Sequence, residues 1–257
     1  MQSFKDKAPT LLVIDVQKGF LDEALWGGKR NNNDAEEICG KLIALWREQK
    51  FPIIHIKHAS TNPSSALHPS QIGHEFNAAA MPKTGELVIE KNVNSAFIGT
   101  DLKDVLDANN TSSIVIIGLT TDHCVSTTTR MAGNYGYQVF LISDATATFD
   151  KKGLDGTVYP ADLIHDTALA SLNDEFATVL SSGELIEMLD GRKLISTYTS
   201  IRDILINGGE ANENLLYFFE KGLINYGNLH KKPESSTLKI VIPMIESDKN
   251  FDLFLIQ

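Results

Sequence analysis

Short runs of branched apolar residues recur through the first two thirds of the chain, each followed by a segment with helical periodicity. That alternation leaves few architectures open. Strand-like runs fall at 11–16, 52–57, 86–90, 113–118, 138–143 and 176–180, and helical patterns at 34–49, 101–108, 125–135 and 161–176. Strands alternating with helices predict an α/β fold, a three-layer α/β/α arrangement around a mainly parallel, roughly six-stranded sheet. Residues 59–82, rich in Ser, Pro, His and Asn, form a long connection of the kind that often covers a site.

The charge distribution suggests where this unit stops. Residues 1–190 hold 15 Lys/Arg against 25 Asp/Glu, whereas residues 191–257 hold 8 of each, which places a boundary near Asp190-Gly191-Arg192. The expectation is one domain over 1–190 and a C-terminal extension over 191–257. In the extension, helices are expected at 200–206 and 212–223 and strands at 238–245 and 251–256. A formal charge of −10 argues against nucleic acid as a partner, for which a basic patch is expected. No run approaches the ~20 apolar residues needed to cross a bilayer, and the charged start Met-Gln-Ser-Phe-Lys-Asp-Lys does not read as a signal segment. Two cysteines, Cys39 and Cys124, make no disulfide framework, so a cytoplasmic location is expected.

Three of the apolar runs end on reactive groups. The run at 113–117 continues into Gly118-Leu119-Thr120-Thr121-Asp122-His123-Cys124-Val125. This puts a thiol at a helix start, where unpaired N–H groups and the helix dipole favour the thiolate. A free cysteine is otherwise commonly a small core residue, which is the reading for Cys39. The first run, Leu11-Leu12-Val13-Ile14-Asp15-Val16-Gln17, carries a carboxylate that is costly to bury without a partner, although an Asp there also suits a turn cap. The third, Glu86-Leu87-Val88-Ile89-Glu90-Lys91, ends on an ammonium before a polar loop; elsewhere such a lysine would be a surface group. One carboxylate, one ammonium and one thiol at strand ends form the pattern of an open α/β site, where ligands bind beyond the carboxyl ends of the strands.

At these residues the chain resembles the isochorismatase-like cysteine hydrolases, a superfamily that includes nicotinamidases, N-carbamoylsarcosine amidohydrolases and isochorismatases. The matching positions are Asp15-Val-Gln17 with Phe20, Lys91 with Asn94-Ser95-Ala96-Phe97, and 118–125 with Thr128 and Arg130. Gly136-Tyr137 and Asp144-Ala145 complete a similarity that covers roughly residues 8–185. It implies a hydrolase that cleaves a C–N bond, amide or carbamoyl, of a small molecule. Cys124 would be the nucleophile, Asp15 the proton acceptor and donor, and Lys91 the group that lowers the thiol pKa, with a thioester intermediate. The resemblance also implies an oxyanion hole from the backbone N–H groups of Thr120 and Cys124, and a cis peptide at Leu119–Thr120. Within the superfamily, vinyl-ether cleavage is the competing activity, but that branch lacks the cysteine. A non-catalytic structural or regulatory member is the other alternative.

No cofactor is expected. Nicotinamidase-type relatives bind a divalent ion through an Asp-x-His…His pattern. Here Ile53-Ile54-His55-Ile56-Lys57-His58 has no Asp two residues before either histidine. His55 reads as a hydrogen-bonded sheet residue, and His58, at the strand end, as a pocket residue. Phe20 and Trp26 would either sandwich a flat substrate or pack beneath a loop, and Phe97, Tyr159 and His165 are further pocket candidates at loop positions. Arg130 is expected to pair with a carboxylate and Asp122 to cap the helix. The expected partners are a small amide-like substrate and further copies of the chain in a homo-oligomer, with no membrane.

Overall fold

The computed structural model describes residues 4–189 together with three short strands, His230–Lys231, Leu238–Val241 and Asp252–Leu253. The chain forms two compact units, Met1–Lys193 and Leu194–Gln257.

In the first unit, strands β1 (Thr10–Ile14), β2 (Ile53–His58), β3 (Leu87–Lys91), β4 (Ser113–Leu119), β5 (Gln138–Ala147) and β8 (Thr178–Leu180) form one sheet in the order β3-β2-β1-β4-β5-β8. Every pair is parallel. All residues of β1 and β4 are buried, as expected of central strands covered on both faces, and this is why both read as continuous apolar runs. The crossovers are α1 (Ala35–Gln49), α2 (Leu102–Ala108), α3 (Ser126–Asn134) and α4 (Ala161–Leu172). Leu12, Ile14, Ile114 and Ile116 pack with Leu102 and Leu106 of α2, Ala132 of α3 and Leu172 of α4 on one face. The buried side of α1, with Cys39, Leu42, Ile43 and Trp46, covers β1, β2, β4 and β5. Each such aliphatic side chain contributes about 1.5–3 kcal/mol on burial.

The strand order fixes where the chemistry sits. From β1 the chain runs outward to β2 and β3, then crosses back to place β4 on the other side of β1. The crevice between the carboxyl ends of β1 and β4 is therefore the topological switch point, where open α/β sheets bind ligands. The two strands approach closely there. Gly118 pairs with Ile14 at φ +119°, and a side chain on it would run into the Ile14 carbonyl.

Differences from the sequence expectations are local. β5 continues four residues past Ser143, through a register shift opposite Ile116 and Gly118. Helix α4 stops at Leu172 and β8 begins only at Thr178. Unanticipated are the hairpin of β6 (Lys151–Lys152) with β7 (Val158–Tyr159) and helix α5 (Ser182–Leu189). The connection after β2 holds two short 3₁₀ turns, Ile72–His74 and Ala78–Ala80, instead of a crossover helix.

In the second unit Leu238–Val241 is central to a three-stranded antiparallel sheet, paired with His230–Lys231 and Asp252–Leu253. The helices expected at 200–206 and 212–223 lie outside the described residues. No helix among the described residues is long and apolar enough to cross a membrane.

Candidate active site

Asp15 follows β1 directly and leaves it in the left-handed region, at φ +50°, a conformation that Asp tolerates better than most side chains. It is wholly buried. Lys91 closes β3, two strands away. Its four-carbon stem passes the end of β2 and places Nζ 2.6 Å from Asp15 Oδ2, with both side chains at 0% exposure. Burying a charge pair is tolerable only when the partners meet at such a distance. Asp15 Oδ1, also buried, has no hydrogen-bond partner. This is the notable atom of the site, because a buried anionic oxygen left unbonded is costly unless it has work to do.

Cys124 supplies a candidate for that work. It lies in a single π-helical turn, Thr121–Val125, between β4 and α3. Its Sγ, a carboxylate oxygen of Asp15 and a ring nitrogen of His58 all lie within 4.8 Å of one another. The Cys124 thiol donates to Asn94 Oδ1 at 3.7 Å. Burial pushes its pKa well up, the Asp15 charge pushes it further, and Lys91 pulls it back only in part. The sequence expectation of a thiol lowered by Lys91 and the helix start is corrected here. Withdrawal from water and a facing carboxylate outweigh one ammonium, which favours the thiol over the thiolate. The Leu119–Thr120 peptide is cis. The Thr120 carbonyl accepts from the N–H groups of both His123 and Val125 at 3.2 Å.

His58, half-buried at the end of β2, meets the pair directly, its Nδ1 3.0 Å from Lys91 Nζ and 4.0 Å from Asp15 Oδ2. Its backbone is held by Gln17, whose Oε1 accepts from His58 N–H at 2.8 Å while Nε2 donates to the His58 and His74 carbonyls. Sequence reasoning quoted Gln17 and Asn94 but gave neither a task. The available signal was an amide placed two residues past a buried carboxylate in an apolar run.

Asp15, His58 and Cys124 are close enough to share a metal ion, but the Lys91 ammonium already bonds two of the three. The space between Asp15 and His58 is taken by that ammonium, which would repel a cation. His55 bonds Glu86 through Nε2 at 2.9 Å, so the two histidines do not converge.

The remaining candidates take different places. Phe20 and Trp26 stack on each other at 4.5 Å with Phe149 behind them, and Trp26 Nε1 donates to the Gly19 carbonyl. No slot is left between the rings for a flat substrate; they buttress Leu119. Phe97 is buried in the core against Tyr135 and Tyr137. Tyr159 is exposed on the β6–β7 hairpin, whose Lys151 lies 3.4 Å from Asp122. His165 sits on α4, inside the helix expected at 161–176, facing Thr121 Oγ1 and Asn32. Asp122 lies inside the π-helical turn, accepts from Thr148 Oγ1 and caps neither that turn nor α3. The Arg130 guanidinium lies 4.7 Å over the Phe176 ring, an aromatic face in place of the expected carboxylate. Cys39 is core, donating to the Ala145 carbonyl.

The chain as a whole is similar to known proteins. The isochorismatase domain family matches residues 9–184. The isochorismatase family protein YrdC of Bacillus subtilis (strain 168) is 47% identical over 181 residues, covering 70% of this chain and 96% of YrdC. Nicotinamidase 3 of Arabidopsis thaliana is 33% identical over 204 residues, covering 72% and 90% respectively. An isochorismatase-family crystal structure from Chromobacterium violaceum ATCC 12472 superposes with a TM-score of 0.70 at 40% identity, over 74% of this chain and 97% of that one. With this sheet and these matches, the chain belongs to the isochorismatase family of hydrolases.

Proposed function

We propose that the chain is a cysteine-dependent amidohydrolase that cleaves an amide or carbamoyl C–N bond of a small molecule through Asp15, Lys91 and Cys124. The observation that carries this reading is the half-bonded carboxylate. Asp15 is anchored through Oδ2 to Lys91, its Oδ1 is buried without a hydrogen-bond partner, and the carboxylate lies close to the Cys124 thiol. A neutral thiol needs a base at the moment of attack, and Oδ1 is the base within reach.

The thiol passes its proton to Asp15 as sulfur adds to the substrate carbonyl. The resulting oxyanion is received by the N–H groups of Thr120 and Cys124, each such donor worth about 3–4 kcal/mol in the transition state. Asp15 then returns the proton to the departing nitrogen, which leaves as amine or ammonia and gives the thioester. Water, deprotonated by Asp15, hydrolyses the thioester and restores the thiol. Lys91 remains charged throughout and keeps Oδ2 engaged, so that proton exchange is confined to Oδ1. Both cysteines are free, which suits the cytoplasmic setting included in this reading, as is assembly into a homo-oligomer.

The test is a panel of small amides, ureides and carbamoyl compounds assayed for released nitrogen, with mass spectrometry for an acyl adduct on Cys124. Turnover of at least one compound, abolished in Cys124→Ser, is expected. Turnover that survives Cys124→Ser would refute the reading.

A further inference from the structure

Lys91 reaches Asp15 only by crossing the end of β2, because strand order places β2 between them and His58 is the register partner of Lys91. The crossing is therefore made beside an imidazole. Nζ lies 3.0 Å from His58 Nδ1. An ammonium has donors and no lone pair, so this contact is a hydrogen bond only if Nδ1 is the acceptor. That in turn requires His58 to be neutral and to carry its proton on Nε2. We infer that His58 is a positioning residue for Lys91, its unprotonated Nδ1 holding the ammonium between β2 and Asp15 so that Asp15 Oδ1 stays free for Cys124.

Two independent features support this. The first is the support behind His58. The wholly buried Gln17 amide clamps both its backbone N–H and its carbonyl, and fixes the His74 carbonyl as well. Clamping the His58 main chain at both its N–H and its carbonyl fixes where that side chain starts from. The second is the electrostatic setting. The titratable groups facing His58 are Asp15 after β1, Lys91 on β3, His74 in the connection after β2, and Cys124 before α3. Burial first, then Lys91, and more weakly His74, hold the imidazole below the ordinary histidine range, against the opposing pull of Asp15. His58 thus stays neutral where an exposed histidine would begin to charge. When it does protonate, Lys91 loses its acceptor and faces a second cation at 3.0 Å.

The inference rests on the Asp15–Lys91–Cys124 reading, but it can be tested without turnover. Nitrogen-detected imidazole spectra of the full chain, with the resonance assigned by its loss in His58→Asn, should show His58 as the Nε2–H tautomer and titrating below an ordinary histidine. In Lys91→Met that titration should move to higher pH. A proton on Nδ1, or a titration indifferent to Lys91→Met, would overturn the inference whether or not any substrate has been found. With a turned-over substrate in hand, His58→Phe removes the acceptor. It should lower kcat roughly ten- to hundredfold, the worth of one charge-assisted hydrogen bond, with KM little changed. His58→Asn offers an amide oxygen in place of Nδ1 and should recover most of kcat, with the acidic limb of the pH profile moved to lower pH because that acceptor does not titrate. Equal kcat in wild type and His58→Phe, or an unmoved acidic limb in His58→Asn, would refute the positioning role.

Discussion

Two carboxylates beside β2 show how the same chemical group is used in opposite ways. Glu86, just before β3, is saturated. Its Oε1 accepts from Arg47 Nε at 2.7 Å, and its Oε2 takes Arg47 Nη2, the Lys83 N–H and His55 Nε2, all at 2.9 Å. Asp15, after β1, has Lys91 on one oxygen and nothing on the other. Each is accompanied by a histidine of the same strand, His55 for Glu86 and His58 for Asp15. Full satisfaction makes Glu86 a structural clamp between α1 and the sheet edge. The open oxygen of Asp15 suits the proton-accepting role proposed for it, because its lone pairs are not already engaged.

The largest effect expected from this contrast is at Asp15. Asp15→Asn keeps the shape and loses the base, so turnover should fall roughly 10²–10⁴-fold in a folded protein, with some loss of stability because the buried Lys91 ammonium keeps only an amide partner. The measurement is kcat alongside a melting curve. A variant that merely unfolded would make Asp15 another Glu86.

The converse substitution, Glu86→Gln, should leave kcat near wild type and lower stability by about 1–3 kcal/mol, since Arg47 and His55 lose a charged partner. Denaturant unfolding with parallel kinetics checks it. A large loss of activity at unchanged stability would erase the contrast.

A pH series sharpens the same point. The Arg47 hydrogen bonds hold Glu86 down at about 2 from an ordinary 4.5. A carboxylate lowered in the folded state stabilises above its unfolded pKa, and that contribution is lost as pH falls from about 4.5 toward 2. The wild type should therefore lose more stability than Glu86→Gln between pH 5 and pH 2, and parallel curves would count against the clamp. The smallest effect concerns metal. With the Lys91 ammonium between Asp15 and His58, extended dialysis against a chelator should leave turnover unchanged, whereas loss restored by a divalent ion would show that Lys91 moves aside.

Much of this was legible in the sequence, for identifiable reasons. Fully buried parallel strands must be apolar throughout, so β1 and β4 stood out, and Asp15 at the end of β1 with them. Lys91 ends β3, an edge strand with Leu87 and Val88 exposed, and was marked only by its place before a polar loop. Burial that depends on three-dimensional neighbours was not legible. No spacing indicates that Lys91 crosses β2 against His58, that Gln17 clamps that strand end, or that Phe176 rather than a carboxylate receives Arg130. The thiol was misread for the same reason. A helix start is visible in sequence, but the withdrawal of Cys124 from water and its closeness to Asp15 are not.

The central claim is that Asp15 and Lys91 act on the Cys124 proton in opposite senses, and the pH dependence of Cys124 alkylation by iodoacetamide tests it most directly. In the wild type Cys124 should label well before Cys39, which is sealed in the core. Removing the facing anion in Asp15→Asn should move the Cys124 titration to lower pH, and removing the cation in Lys91→Met should move it to higher pH, with turnover lost in both. Identical titrations in all three proteins, or near-normal turnover in either variant, would contradict the account.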